Sequence, residues 1–192
     1  MQQPKILAFA GSARKDSYNK LLIKIVANGS KNAGANVSLI DLRDYPMPIY
    51  DADLEASSGL PENAIKLKKL FLEHHGLLLA CPEYNSSITP LLKNTLDWVS
   101  RPSQEEKSLA CYENKVAALL SASPGALGGL RGLVHVRSIL SNIKVLVIPE
   151  QIAVPKAPDA FDVDGTLRDK KLQQAVENLG ASLTKILYKL SS

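Results

Sequence analysis

Two short stretches carry residue types from which a binding site could be built. Residues 11–19 read GSARKDSYN, with Gly11, short hydroxyls at Ser12 and Ser17, the amide of Asn19, and the cations Arg14 and Lys15. The hydroxyls, the amide and the cations can all donate hydrogen bonds to an oxyanion. The stretch follows the apolar run KILAFA (5–10) and precedes a helical pattern that begins near Tyr18. Unpaired backbone N–H groups and the positive end of a helix dipole would therefore face whatever binds there, which is the chemistry of a monophosphate site. A plainer reading is equally open, in which Ser17 or Asp16 caps the helix and Arg14 and Lys15 are solvated. Neither GxxxxGK[ST] nor GxGxxG occurs here, which sets aside a Walker-type loop and a dinucleotide fingerprint.

The second stretch is ACPEYNSSITPLLKNTLDWVSR (80–101). An apolar run stops at Pro82, a polar turn follows over Glu83, Tyr84, Asn85, Ser86 and Ser87, and Pro90 stands where proline is favoured at a helix start. Such a turn presents several N–H groups to a flat heteroaromatic with carbonyl and ring-nitrogen acceptors, and Tyr84 could pack against it. The alternative is an ordinary connecting loop with Tyr84 at the surface. Asp97 and Trp98 read as helix residues that serve packing, a helix-side hydrogen bond or a subunit contact. In a third stretch, SASPGALGGLRG (121–132), the glycines do not space as GxGxxG, and close packing at a helix start accounts for them as well as a ligand does.

These stretches need elements to position them. Apolar runs at 5–10, 37–42, 76–82, 115–123 and 144–154 lack clean alternation, as expected of strands covered on both faces. Helical spacing occupies 18–33, 61–75, 90–100, 128–142 and 168–190. Five βα units with right-handed crossovers predict one α/β domain over residues 1–192, a doubly wound parallel sheet of the Rossmann or flavodoxin strand order. Ligands of such sheets sit beyond the carboxyl ends of strands, which is where all three polar stretches fall. The connection 43–60, with Pro46, Pro48 and Gly59, is expected to be a structured excursion walling one side of the site.

Composition narrows the function. A net charge of +4 would suit nucleic acid, but the cations are interspersed with acids and not interleaved with aromatics, so no nucleic-acid partner is expected. The N-terminal residues lack a secretory pattern and no apolar run reaches transmembrane length, so a cytoplasmic protein with no membrane partner is expected. Cys81 and Cys111 form no CxxC pattern, in keeping with a reducing compartment, and Cys81 reads as a buried small hydrophobe. His74, His75 and His135 have neither triad nor metal-ligand spacing, and the helix-end pair is expected at the surface or as a cap.

GSARKDSYNKLL, PEYNSSITPLLKNTLDWVSR and SASPGALGGLRGLVHVRSIL, in this order, resemble the NADPH-dependent FMN reductases of the flavodoxin-like superfamily and their quinone, azo-dye and chromate reductase relatives. The resemblance implies the flavodoxin-like strand order 2-1-3-4-5. It implies FMN as cofactor, with NADPH or NADH as co-substrate. Gly11, Ser12, Arg14, Lys15, Ser17, Tyr18 and Asn19 would surround the FMN phosphate. Pro82, Glu83, Tyr84, Asn85 and Ser86 would border the isoalloxazine, and Ser121, Ser123 and Gly125 would approach it from the fourth loop, where Pro124 interrupts the family pattern.

The activity so implied is ping-pong hydride transfer from NAD(P)H to FMN and then to a small-molecule electron acceptor: a quinone, azo compound, flavin or metal oxyanion. No catalytic side chain or metal is required, because the cofactor carries the chemistry. The resemblance also implies a homo-oligomer, dimer or tetramer, with Trp98, Arg101 and the segment 102–110 as interface elements. The rival reading is a flavodoxin-like electron carrier without NAD(P)H activity. Such carriers are acidic for docking, whereas this chain is basic. A receiver domain would need an aspartate at the end of strand three, where Ala80-Cys81-Pro82 stands, and a nicotinamide dehydrogenase would need the missing glycine fingerprint.

Overall fold

The computed structural model describes residues 3–103 and 106–190. Five parallel strands form the sheet, β1 (Lys5–Ala10), β2 (Asn36–Leu39), β3 (Gly76–Ala80), β6 (Val116–Ala122) and β7 (Leu146–Val154), in the order β2-β1-β3-β6-β7. This is the flavodoxin-like order expected from the sequence. β4 (Glu83–Tyr84) and β5 (Ser87–Ile88) form a small antiparallel hairpin where the sequence predicts a polar turn.

The central strands follow from their composition. Every residue of β3 (GLLLA) and β6 (VAALLSA) is buried, and so is all of β1 except Lys5. That is the signature of a parallel sheet covered on both faces. The edge strands β2 and β7 are partly exposed. β7 slips register between its pairings with Ala117 and Leu119, around Pro149. Arg137 braces this irregularity with hydrogen bonds to the carbonyls of Val147 and Pro149 and to the Gln151 side chain.

Helices α1 (Tyr18–Asn32) and α7 (Lys170–Leu190) cover one face, burying Leu22, Val26, Leu179 and Leu183 against Ile6, Ala8 and Leu78. The two helices touch through backbone. A methyl group placed on Gly29 would stand 2.0 Å from the Glu177 carbonyl oxygen, and one on Gly180 would stand 2.2 Å from that of Val26. Helices α3 (Glu62–Glu73), α4 (Pro90–Ser100) and α5 (Leu130–Asn142) cover the other face around Phe9, Phe71, Leu77 and Leu119. Of the two expectations for the histidine at the end of α3 the cap holds: His74 is the C-cap residue, is 5% exposed, and bonds the Leu70 carbonyl of the last turn and the Ser38 hydroxyl of β2.

The excursion after β2 holds a short 3-10 turn and the helix α2 (Ala52–Ser58), and α4 fastens it down. Asn94 Nδ2 and Trp98 Nε1 both donate to the Pro48 carbonyl, and Asn94 Oδ1 accepts the Tyr50 N–H. Tyr50 packs edge-on to Trp98, and Arg101 Nε contacts both carboxylate oxygens of Glu55 at 2.9 Å. This corrects the reading of Trp98 as an interface residue, because it is fully buried within its own chain. Arg101 pairs with Glu55 but keeps 38% of its side chain exposed, and residues 104–105 of the segment 102–110 lie outside the described residues.

Candidate functional site

Three loops meet at the carboxyl edge of β1, β3 and β6. The Gly11 N–H continues the ladder to the Ala80 carbonyl, and the Cys81 N–H continues it to Leu120. Thr89 ties the first loop to the second: its hydroxyl donates to the Gly11 carbonyl at 2.7 Å and accepts the Leu92 N–H as the cap of α4. Thr89 is not among the residues the sequence singles out. The signal was present as a threonine directly before Pro90, a capping residue followed by proline in the first turn.

In the first loop Ser12, Ser17 and Asn19 are buried, while Ala13, Arg14, Lys15 and Asp16 are exposed. Ser17 holds the cap position of α1 in extended conformation, yet its hydroxyl makes no capping bond. The first turn of α1 contains no acidic residue. Among the described residues, the N–H groups of Tyr18 and Asn19 find no acceptor. A fifteen-residue helix thus begins with unneutralised donors beside two buried serines and two exposed cations. The Ser17 cap of the plainer reading is not made, while Arg14 and Lys15 are exposed as that reading has them. Two of the expected contact residues are directed elsewhere. Tyr18 stacks on Phe161 with ring centroids 5.8 Å apart, and the Asn19 amide bonds the backbone of Ala122.

The second loop is the hairpin β4–β5, turned by Asn85 at φ 50° and Ser86 at φ 68°. Two consecutive left-handed residues make the turn type that suits hairpin twist, although neither is glycine. Pro82 is buried, and Tyr84 stands half exposed at the rim. Three side-chain bonds hold the hairpin to α5. Glu83 Oε2 accepts the Gly132 N–H at 2.8 Å, Ser86 Oγ meets Arg131 Nη1 at 3.4 Å, and Ser87 Oγ meets His135 Nδ1 at 2.9 Å.

The third loop separates its expected residues. Ser123 and Gly125 form a lip braced from β7: the Ser123 N–H bonds the Val154 carbonyl, and the Gly125 carbonyl accepts the Lys156 N–H. Ser121 lies inside. Its hydroxyl is fully buried without a hydrogen-bond partner, 2.0 Å from where a methyl group on Gly129 would sit. Gly129, at φ 91°, opens α5 with no side chain of its own to cap it.

Other chemistry is poorly served. Burial pushes the Cys81 thiol far above its ordinary range, and burial raises Cys111 too despite the opposing pull of Lys68. Neither cysteine is a ready thiolate nucleophile. Among the described residues no three His, Cys, Asp or Glu side chains group as a metal site. No described helix is long and apolar enough to cross a membrane.

A flavodoxin-like sheet with an unneutralised helix start after its first strand and a donor-bearing hairpin after its third defines a cofactor-binding α/β domain of the flavoprotein kind. The model of the NADPH-dependent FMN reductase family matches residues 4–159, and the chain belongs to that family of oxidoreductases. It is 32% identical over 174 residues to an NAD(P)H-dependent FMN reductase of Pseudomonas aeruginosa, covering 90% of this chain and 89% of that one. It is also 32% identical over 191 residues to an NAD(P)H:quinone oxidoreductase of Solanum tuberosum, covering 97% and 94%. Among solved structures, the flavoenzyme NAD(P)H:acceptor oxidoreductase of Paracoccus denitrificans superposes with a TM-score of 0.80 at 25% identity, covering 97% of this chain and 98% of that one. The residues present fit FMN. The uncapped start of α1 and the buried hydroxyls of Ser12 and Ser17 suit a terminal phosphate.

Proposed function

We propose that this chain is an FMN-dependent NAD(P)H:acceptor oxidoreductase, with a quinone as the second substrate. The observation that carries the reading is Ser17, a residue in the cap position that leaves its helix uncapped beside Arg14 and Lys15. A dianionic phosphate there would receive the N–H groups of Tyr18 and Asn19, the hydroxyls of Ser12 and Ser17, and the exposed charges of Arg14 and Lys15. The hairpin from Pro82 to Ser86 would border the ring system, and Ser123 with Gly125 would form its far lip.

FMN, when bound, supplies the redox chemistry, accepting hydride from the nicotinamide and passing electrons to the acceptor. The chain's residues bind, orient and exclude water. The hairpin N–H groups present fixed dipoles where negative charge develops, and Tyr84 at the rim guards one open face that donor and acceptor use in turn. Ping-pong kinetics follow. The quinone reductase relatives support a quinone acceptor, and the free buried cysteines suit a reducing, cytoplasmic setting. A homo-oligomer completes the proposal.

The test is direct. The purified protein should be yellow, bleach anaerobically with NADPH, and recover colour on adding a benzoquinone. Protein that binds no FMN sinks the reading. Protein that binds FMN but is not reduced by either nicotinamide supports the electron carrier instead, and ternary-complex kinetics refute the shared face. Light scattering of the eluting protein gives the assembly state, and a monomer at micromolar concentration excludes the oligomer.

A further inference from the structure

The register of β6 shows what Asn19 does. β3 and β6 pair up to Ala80 and Leu120, and their last link runs from the Cys81 N–H to the Leu120 carbonyl at 2.8 Å. Backbone groups alternate sides along a strand. Ser123 therefore turns toward β7, where its N–H meets the Val154 carbonyl, and Ala122 turns back toward β3. No β3 backbone remains there to meet it. Pro82 has no N–H, and beyond it the chain has bent into the hairpin.

The Asn19 side chain occupies that gap. Its Nδ2 donates to the Ala122 carbonyl at 2.8 Å and its Oδ1 accepts the Ala122 N–H at 3.0 Å, a buried pair joining residues 103 apart in sequence. A carboxamide is the side-chain equivalent of a peptide group, with one donor and one acceptor in the same plane. Asp would lack the donor at neutral pH, and an apolar residue would leave both Ala122 groups buried without partners.

We propose that the side chain of Asn19 is a positioning group and not a phosphate ligand, whatever its backbone N–H donates to. Its carboxamide replaces the missing β3 peptide and fixes the end of β6, with the Ser123–Gly125 lip, to the first turn of α1. The clamp thereby adds to the bracing from β7 in holding the far lip of the ring site, on which FMN and riboflavin would depend alike. The ligand part of this inference rests on the FMN reading; the clamp itself does not.

Two measurements test it. In the flavin-free protein, Asn19→Ala should speed hydrogen exchange at the amides of Ala122, Ser123 and Gly125 by about tenfold, leaving those of Ser12 to Lys15 unchanged. Unchanged exchange at Ala122 overturns the clamp. In binding titrations, FMN and riboflavin should both lose affinity by the same factor, on the order of tenfold. A loss confined to FMN makes Asn19 a phosphate ligand and overturns the proposal.

Asn19→Asp serves if the alanine variant fails to fold. Protonated Asp regains a donor, so binding of both flavins should recover as pH falls through the carboxyl's titration, and a flat or FMN-only profile refutes the clamp. If neither flavin binds the wild type, the FMN reading fails while the exchange measurement still decides the role of Asn19.

Discussion

The carboxylate of Glu83 accepts the N–H of Gly132 at 2.8 Å, so the turn after β3 caps a helix that begins after β6. α5 opens on Gly129 and has no cap from its own segment. Glu83 supplies it from 49 residues away and is held in place by it. Glu83→Ala should cost about 1–2 kcal/mol, a fall in melting temperature of about 2–4 °C per kcal/mol. Glu83→Gln, which keeps an acceptor oxygen, should recover most of that loss. Thermal unfolding of the two variants checks the pair, and equal losses would show that the charge alone matters.

The first loop makes a separable prediction. Ser17 leaves the start of α1 uncapped, and Arg14 beside it is exposed and tied to the loop through its backbone N–H, which donates to Ser12 Oγ at 3.3 Å. Arg14→Ala or Ser17→Ala should leave the fold intact and weaken FMN by about tenfold to a hundredfold, the value of a charge-assisted hydrogen bond, with riboflavin little affected. Fluorescence titration with both ligands reads the ratio. Equal losses would mean that the loop acts only through the fold.

Both contrasts mark what the sequence could and could not disclose. The five strands and five long helices were legible to within a few residues, because short apolar runs such as GLLLA and VAALLSA alternate with long stretches of helical spacing, the pattern of doubly covered strands in βα units. The first loop was legible as a polar, cation-bearing helix start. What escaped was the direction of individual side chains. Asn19 looks the same on paper whether it grips an anion or a backbone, and only the departure of β3 at Pro82 decides between them. For Trp98 packing and a subunit contact stay open on the sequence, because nothing local reveals that Pro48, 50 residues earlier, returns to accept its indole N–H. Tertiary placement decided these residues, and no local pattern encodes it.

The hairpin turn carries strain that can be relieved. Ser86 sits at φ 68°, where a residue with a β-carbon costs roughly 1 kcal/mol or more relative to glycine. Its compensation is small, a 3.4 Å contact from an exposed Arg131. Ser86→Gly should therefore raise the melting temperature, by about 2–4 °C. A decrease would mean that the Arg131 contact outweighs the backbone term.

The strap after β2 should loosen in acid. The Arg101 guanidinium holds the Glu55 carboxyl below its ordinary value of 4.5, outweighing partial burial, and the Tyr50 hydroxyl adds to the effect. A carboxyl whose value is lowered on folding contributes stability that is fully present above pH 4.5 and is lost as pH falls through the lowered value. Melting temperatures from about pH 7 down to about pH 3 should decline more steeply in the wild type than in Glu55→Gln. Parallel curves would show that the pair does not couple folding to pH.

The crossing of α1 and α7 sets two opposing effects on one atom. Alanine is worth about 1 kcal/mol more than glycine inside a helix, so propensity alone predicts that Gly29→Ala stabilises α1. The added methyl group would stand 2.0 Å from the Glu177 carbonyl oxygen, well inside contact distance, and that oxygen belongs to the backbone of a 21-residue helix that cannot yield by rotating a side chain. Separating the helices would also pull Ser30 from the Gly180 carbonyl, which its hydroxyl now reaches at 2.8 Å. Sterics should win by about 3 kcal/mol or more, lowering the melting temperature by roughly 10 °C. Asn28→Ala, one residue earlier on the exposed side of the same helix, should be neutral or slightly stabilising. Similar behaviour of the two variants would mean that α1 and α7 cross with more room than their backbone distances indicate.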